Sequence, residues 1–241
     1  MHVSIYRLSD LVSHFPRAVR GRVLSEQKVI RGADILLAAS EPIYQYAREL
    51  RGTEKGLYLL PNGFEVELFR KEVSLPPEYM RIPSPRAVFV GAMSGWFDWE
   101  LLLQVAQLRP EVSFCLLGRG EEPSALPGNV FFLGARPHEE MPAYLQHADV
   151  GLIPFRDCPL VRNIERPLKF YEYIASGLPV VSVPYGNLVK MAPYALFGQT
   201  PEEFAEAIDG ALKFSSAQRE RLKQEAQKFS WENIFIQFDE I

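Results

Sequence analysis

Short apolar runs alternate with amphipathic stretches along most of this chain. Residues 2–8, 34–39 and 56–60 read as strands, and residues 20–31 and 41–51 between them have helical periodicity. Ser40 stands where a helix N-cap belongs, and Glu26 and Lys28 are expected on the outward face of the first helix. The pattern resumes with apolar runs at 86–91, 112–118, 129–134, 149–154 and 179–183, and a short one at 194–197. Helical stretches are expected over 99–108, 138–147, 167–177, 201–214, 217–228 and 231–238. Strands alternating with helices predict βαβ units and parallel sheets. The fold class is therefore α/β, with two Rossmann-like parallel-sheet domains.

Turn residues divide the chain. Pro61-Asn62-Gly63 closes the third run, and residues 70–85 hold four prolines without apolar periodicity. The expected organisation is a first domain over 1–75, a linker over 76–85, a second domain over 86–215, and C-terminal helices over 216–241. Three strands leave the first sheet with an open edge and an uncovered face. This predicts an incomplete first domain: a fragment or mis-started chain, a partner supplying the missing N-terminal half, or a genuinely reduced version.

Composition narrows the function. The 241 residues are 47% hydrophobic and 23% charged, with net charge −4, which disfavours nucleic acid as a partner. Cys115 and Cys158 are the two cysteines, without a paired motif, and Cys115 lies in an apolar run as a core thiol. The four histidines form no metal motif, so neither a metal nor a cofactor is expected. No apolar run has the length of a membrane span. The default setting is cytoplasmic, with peripheral membrane contact left open.

The stretch from Asp149 to Val183 carries the most chemistry. It reads as strand, basic loop, helix, turn and strand, with Arg156, Arg162 and Arg166 in the loop and Pro167 opening the helix. Backbone N–H groups at a helix start, with cations beside them, make an anion site. Lys169 and Glu172, three apart, share a helical face. An ordinary exposed Lys/Glu pair is the alternative.

The order Pro167-x-Lys169-x-x-Glu172-Tyr173-x-Ala175-x-Gly177-x-Pro179-Val180-Val181 resembles the donor-binding signature of GT-B glycosyltransferases of the "glycosyl transferases group 1" type. The earlier pattern Glu26…Ala33-Asp34…Ser40…Pro61-Asn62-Gly63…Phe69 is similar to the end of that family's first domain. The resemblance implies a nucleotide-sugar donor, UDP- or GDP-linked, and a glycan or lipid-linked acceptor in bacterial polysaccharide or envelope biosynthesis. It implies that Lys169 meets the diphosphate, with Arg162 beside it, and that Glu172 holds the ribose. The loop with Gly91, Ser94 and Gly95 is expected near the donor phosphates, and Arg136 near the base. Trp96 and Asp98 stand where many members carry a basic residue, and core packing is the plainer role for Trp96. Retaining members carry two paired glutamates; here the position eight before Glu172 is Ile164, and Glu165 is one place out. In the inverting members that the chain also resembles, of the xanthan glucuronosyltransferase type, an acidic residue of the first domain is the base. Asp10, at a strand end, is the candidate, with a turn or cap aspartate as the alternative. His14 is a weaker one. A reaction without a metal ion is expected, its leaving group held by Lys169 and Arg162. The alternative function is a non-catalytic nucleotide-sugar-binding module or one half of a split transferase.

Overall fold

The computed structural model describes residues 2–15, 18–164, 167–191 and 194–239. Glu165 and Arg166, named above, lie outside them.

The first unit is a parallel sheet of β1 (Ile5–Leu8), β2 (Ile35–Ala38) and β3 (Leu57–Leu59), in that order. Its crossovers are α1 (Arg20–Gly32) and α2 (Glu41–Arg51). Ser40 caps α2 by accepting from the Ile43 N–H, and Gly52, at φ 69°, ends it in the left-handed region. Leu8, Ile30, Leu36, Ile43 and Leu57 form a small core. Lys28 is exposed, but Glu26 turns inward rather than outward. Both its carboxylate oxygens lie within 3.3 Å of the Val12 N–H, so it anchors the loop that follows β1. The periodicity of α1 could not show this, because the donor comes from outside the helix. β1 is an edge among the described residues, with Val3 60% and Ile5 64% exposed.

The chain enters the larger core already at Phe64, before α3 (Val66–Arg70). The segment expected as a spacer over 76–85 is instead pinned to the second unit. Tyr79 is buried, lies edge-on to Tyr144 at 5.4 Å and carries the Arg86 guanidinium 4.7 Å above its ring.

The second sheet contains β4 (Arg86–Val90), β5 (Ser113–Leu117), β6 (Val130–Gly134), β7 (Val150–Ile153), β8 (Val180–Ser182) and β9 (Ala195–Phe197). All pairs are parallel, and the order is β6-β5-β4-β7-β8-β9. Its helices are α4 (Trp99–Leu108), α5 (Met141–Gln146), α6 (Pro159–Asn163), α7 (Leu168–Ala175), α8 (Pro201–Leu212) and α9 (Ser216–Ala226). Every residue of β5 and β7 is buried, as strands covered on both faces require. The single helix expected over 138–147 is a 3-10 turn followed by α5, because Pro142 cannot donate at the joint. The loop expected over 155–166 contains α6. Pro167 is the N-cap of α7 rather than its first residue. Finally α10 (Trp231–Asp239) returns to the first unit: Trp231 packs on Gly63, and the Arg7 guanidinium lies 5.3 Å from its ring centre.

Chain order reverses direction between β4 and β7, so this is the switch point of the sheet. β4 and β7 pair only through Ala87–Val150 and Val88–Gly151, then part. A crevice opens there, outside the carboxyl ends of the strands, where ligands bind in open α/β sheets.

Candidate donor site at the switch point

Tyr173 of α7 fills the gap where β4 and β7 separate. Its hydroxyl accepts from the Val90 N–H at 3.0 Å and donates to the Leu152 carbonyl at 3.2 Å. Gly151 makes room for the ring, since a Cβ there would collide with it. Lys169 is one helical turn earlier on the same face. Its ammonium lies 4.7 Å from the Phe155 ring centre and 5.3 Å from that of Phe89. Gly91, at φ 137°, passes directly beneath: a Cβ there would lie 3.4 Å from Nζ. Burial among these rings pulls the Lys169 amine down to about 8, opposed by the charge of Glu172. Two rings hold the ammonium by cation–π attraction, and among the described residues no carboxylate lies within ion-pair distance of it.

Glu172 is buried, and its Oε1 accepts from His138 Nε2 at 3.0 Å. The carboxylate raises the proton affinity of His138, mainly through this hydrogen bond. The His138 ring also stands edge-on to Phe69, 5.6 Å away, so both its face and its Nε2 are fixed. A cavity of about 230 Å³ opens beside it, lined by Gly91, Gly118, Arg119, Arg136 and His138 among others.

A second cavity, of about 270 Å³, lies between the two units. Ser9, Asp10, Ser40 and Asn62 line it from the first unit, and Trp96, Phe155, Asn163 and Lys169 from the second. Ser40 Oγ donates to the Asn163 carbonyl at 3.0 Å, and the Asn163 amide meets His14 Nδ1. His14 is thus an inter-unit contact. Burial raises the proton affinity of the Asp10 carboxylate, although the residue keeps an exposed face.

The structure therefore brings Lys169 and Asp10 to one cavity, with Gly91 beneath the amine and Glu172 on the same helix. Ser94 and Gly95 line a neighbouring groove with Trp96. Asp98 caps α4 by accepting from the Leu101 N–H. Arg136 borders the smaller cavity but is engaged by Glu78 at 2.9 Å and by the Tyr144 hydroxyl. Arg162 is not brought in. It makes a two-pronged pair with Asp157, at 2.7 and 2.6 Å, on the exposed side of α6. His138, Tyr173, Arg119 and Asn163 went unnoticed in sequence as site residues. The His138–Glu172 pair spans 34 residues, beyond any local spacing rule.

The family model described as glycosyl transferases group 1 matches residues 84–213, and the chain belongs to this family. A Bacillus subtilis protein, TuaH, named for teichuronic acid biosynthesis as a glycosyltransferase, is 26% identical over 246 residues; the match covers 95% of this chain and 61% of that protein. The D-inositol 3-phosphate glycosyltransferase of Corynebacterium urealyticum is 28% identical over 261 residues, covering 93% of this chain and 60% of its own. The chain thus spans about three fifths of the length of these relatives. Among solved structures, HepE of Anabaena in complex with UDP-glucose superposes with a TM-score of 0.72 at 17% identity, over 98% of this chain and 71% of that one. Sucrose-phosphate synthase of Thermosynechococcus elongatus gives 0.70 at 20% identity, over 98% and 66%. At such identities the likeness shows the fold alone, which is the two-unit GT-B architecture.

Proposed function

We propose that the chain binds a nucleotide-sugar at the switch point and transfers its glycosyl group to an acceptor hydroxyl in the cleft, as a glycosyltransferase of bacterial polysaccharide or envelope biosynthesis. The observation that carries this is Lys169: an amine without a carboxylate partner among the described residues, packed between Phe89 and Phe155 over Gly91, and lining the cavity between the units. An amine held so is short of a counter-charge, and a diphosphate supplies one.

Each step has a residue. Breaking the anomeric bond leaves negative charge on the diphosphate, which Lys169 and the N-terminus of α7 stabilise. Glu172, aligned by His138, accepts from ribose hydroxyls. Asp10, across the cavity, takes the proton of the attacking hydroxyl; its raised proton affinity suits a base. Arg119, beside Gly91 and Gly118, is better placed for the donor than Arg162, which Asp157 occupies. Transfer without a metal ion is part of the proposal. That HepE was solved with UDP-glucose makes UDP-sugars the first donors to try. Work at the inner face of the membrane fits a lipid-linked acceptor.

The test is calorimetric titration with UDP-sugars, then turnover in EDTA. We expect binding by the wild type, its loss in Lys169→Ala, and turnover unaffected by chelation. Equal binding by Lys169→Ala would remove the reading. The exposed Ile5 on β1, with Val3 just before it, favours a second one, in which the same donor site belongs to one half of a split transferase.

A further inference from the structure

The cavity between the units does not end at Trp96. A groove of about 750 Å³ continues from it, and Phe15 and Trp96 line both. The groove runs over the loop between β4 and α4. Its wall is aromatic: Phe15 is 38% exposed, and Trp96 and Trp99 are each partly exposed. The platform is rigid. The Trp99 ring stands against Phe97 at 4.8 Å and 69°, and the Arg156 N–H donates to the Trp96 carbonyl at 2.8 Å. Two exposed polar side chains, Arg156 and Glu121, flank the rings. Among the described residues the Arg156 guanidinium reaches Asp98 only, at 3.5 Å through its Nε, and its other donors face the groove.

Aromatic faces left open to water beside planar hydrogen-bonding groups suit one ligand chemistry well. A sugar ring has an apolar C–H face that stacks on an indole and an equatorial rim of hydroxyls for Arg and Glu. An acyl or prenyl chain would desolvate Arg156 and Glu121 without replacing their hydrogen bonds.

We infer that this groove is the glycan subsite of the acceptor. A sugar stacks on the Trp96–Trp99 wall, Arg156 and Glu121 take its hydroxyls, and the next sugar along presents its hydroxyl to the cavity holding Asp10 and Lys169. This deepens the transfer reading and rests on it for the word acceptor, but the binding stands or falls separately. It also assigns Trp96 a role besides packing.

Saturation-transfer NMR with neutral trisaccharides (maltotriose, cellotriose and chitotriose) tests it on the full chain. At least one should bind the wild type, and Trp99→Ala and Arg156→Ala should each weaken that binding by about tenfold or more, roughly the loss of one stacked face or charged hydrogen bond. Trp99→Phe, which keeps a ring against Phe97, should retain part of it and shows that folding is not the cause. The UDP-sugar affinity of Arg156→Ala should stay within about twofold of wild type, since Arg156 lies outside both donor cavities. No trisaccharide bound, equal binding by both alanine variants, or an octyl chain bound in place of the sugars would overturn the inference. Failure of the wild type to bind UDP-sugars while trisaccharides bind would overturn the donor reading alone.

Discussion

Lys169 concentrates the electrostatics of the site in one amine. Its value in the folded protein, about 8, lies below the 10.5 of a free lysine, so folding disfavours the charged form. The sign follows from linkage: the cost is full below about pH 8 and is relieved as pH rises towards 10.5. Lys169→Met should therefore stabilise the ligand-free protein at pH 7 by about 1–2 kcal/mol, after allowing for solvent at the cavity mouth. Chemical denaturation at pH 7 and pH 10 measures it, with the gain smaller at pH 10. Donor affinity has the opposite dependence. A bound diphosphate holds the proton on Lys169, so affinity should be level below pH 8 and fall above it, by up to about one log unit per pH unit. An affinity unchanged from pH 7 to 10 would mean that the amine does not meet the phosphates.

At the scale of elements, the device is the parting of β4 and β7 with Tyr173 wedged between them. One hydroxyl satisfies the Val90 N–H, which has parted from β7, and also reaches Leu152 on the opposite strand. Tyr173→Phe strands both groups and should cost about 1–3 kcal/mol of stability. Because Lys169 sits one turn away, donor affinity should fall too, while a surface change such as Glu100→Ala on α4 alters neither. Gly91→Ala should weaken donor binding, because φ 137° is strained for a side chain and the new Cβ would crowd the Lys169 amine. Much of this level was legible beforehand. The runs at 86–91 and 149–154 are apolar because parallel strands are buried on both faces, and Ser40, Pro167 and Gly177 punctuate the helices. The exceptions have long-range causes. Glu26 turned inward because Val12, outside α1, offers it an N–H, and the prolines of 70–85 gave no sign that Tyr79 would find a pocket beside Tyr144. His138 was invisible as a partner of Glu172 for the same reason.

At the scale of the whole molecule, the two parallel-sheet units meet at the Ser40–Asn163–His14 hydrogen bonds and through α10. Trp231 of α10 lies against Gly63 and Arg7, and its N–H approaches the Phe64 carbonyl at 3.4 Å. Trp231→Ala should cost about 3 kcal/mol through the cavity it leaves. Hydrogen exchange should then rise in β1–β3 while β4–β9 stay protected; equal loosening of both sheets would mean that α10 belongs to neither unit in particular. The two-unit plan was readable from chain order and resemblance. Its boundary was not, because Phe64 and Phe69 look like any apolar pair until they are seen against Tyr171 and His138.

In the proposed donor site, the switch point of the second unit holds a nucleotide-sugar through Lys169 and Glu172. The most direct measurement is a thermal-shift panel of UDP-, GDP-, ADP- and dTDP-sugars at pH 7 without added metal, on the wild type, Lys169→Ala and Glu172→Ala. One nucleotide class should stabilise the wild type, and that stabilisation should be lost in both variants. No shift from any donor in a folded wild type, or a shift kept by both variants, would contradict it.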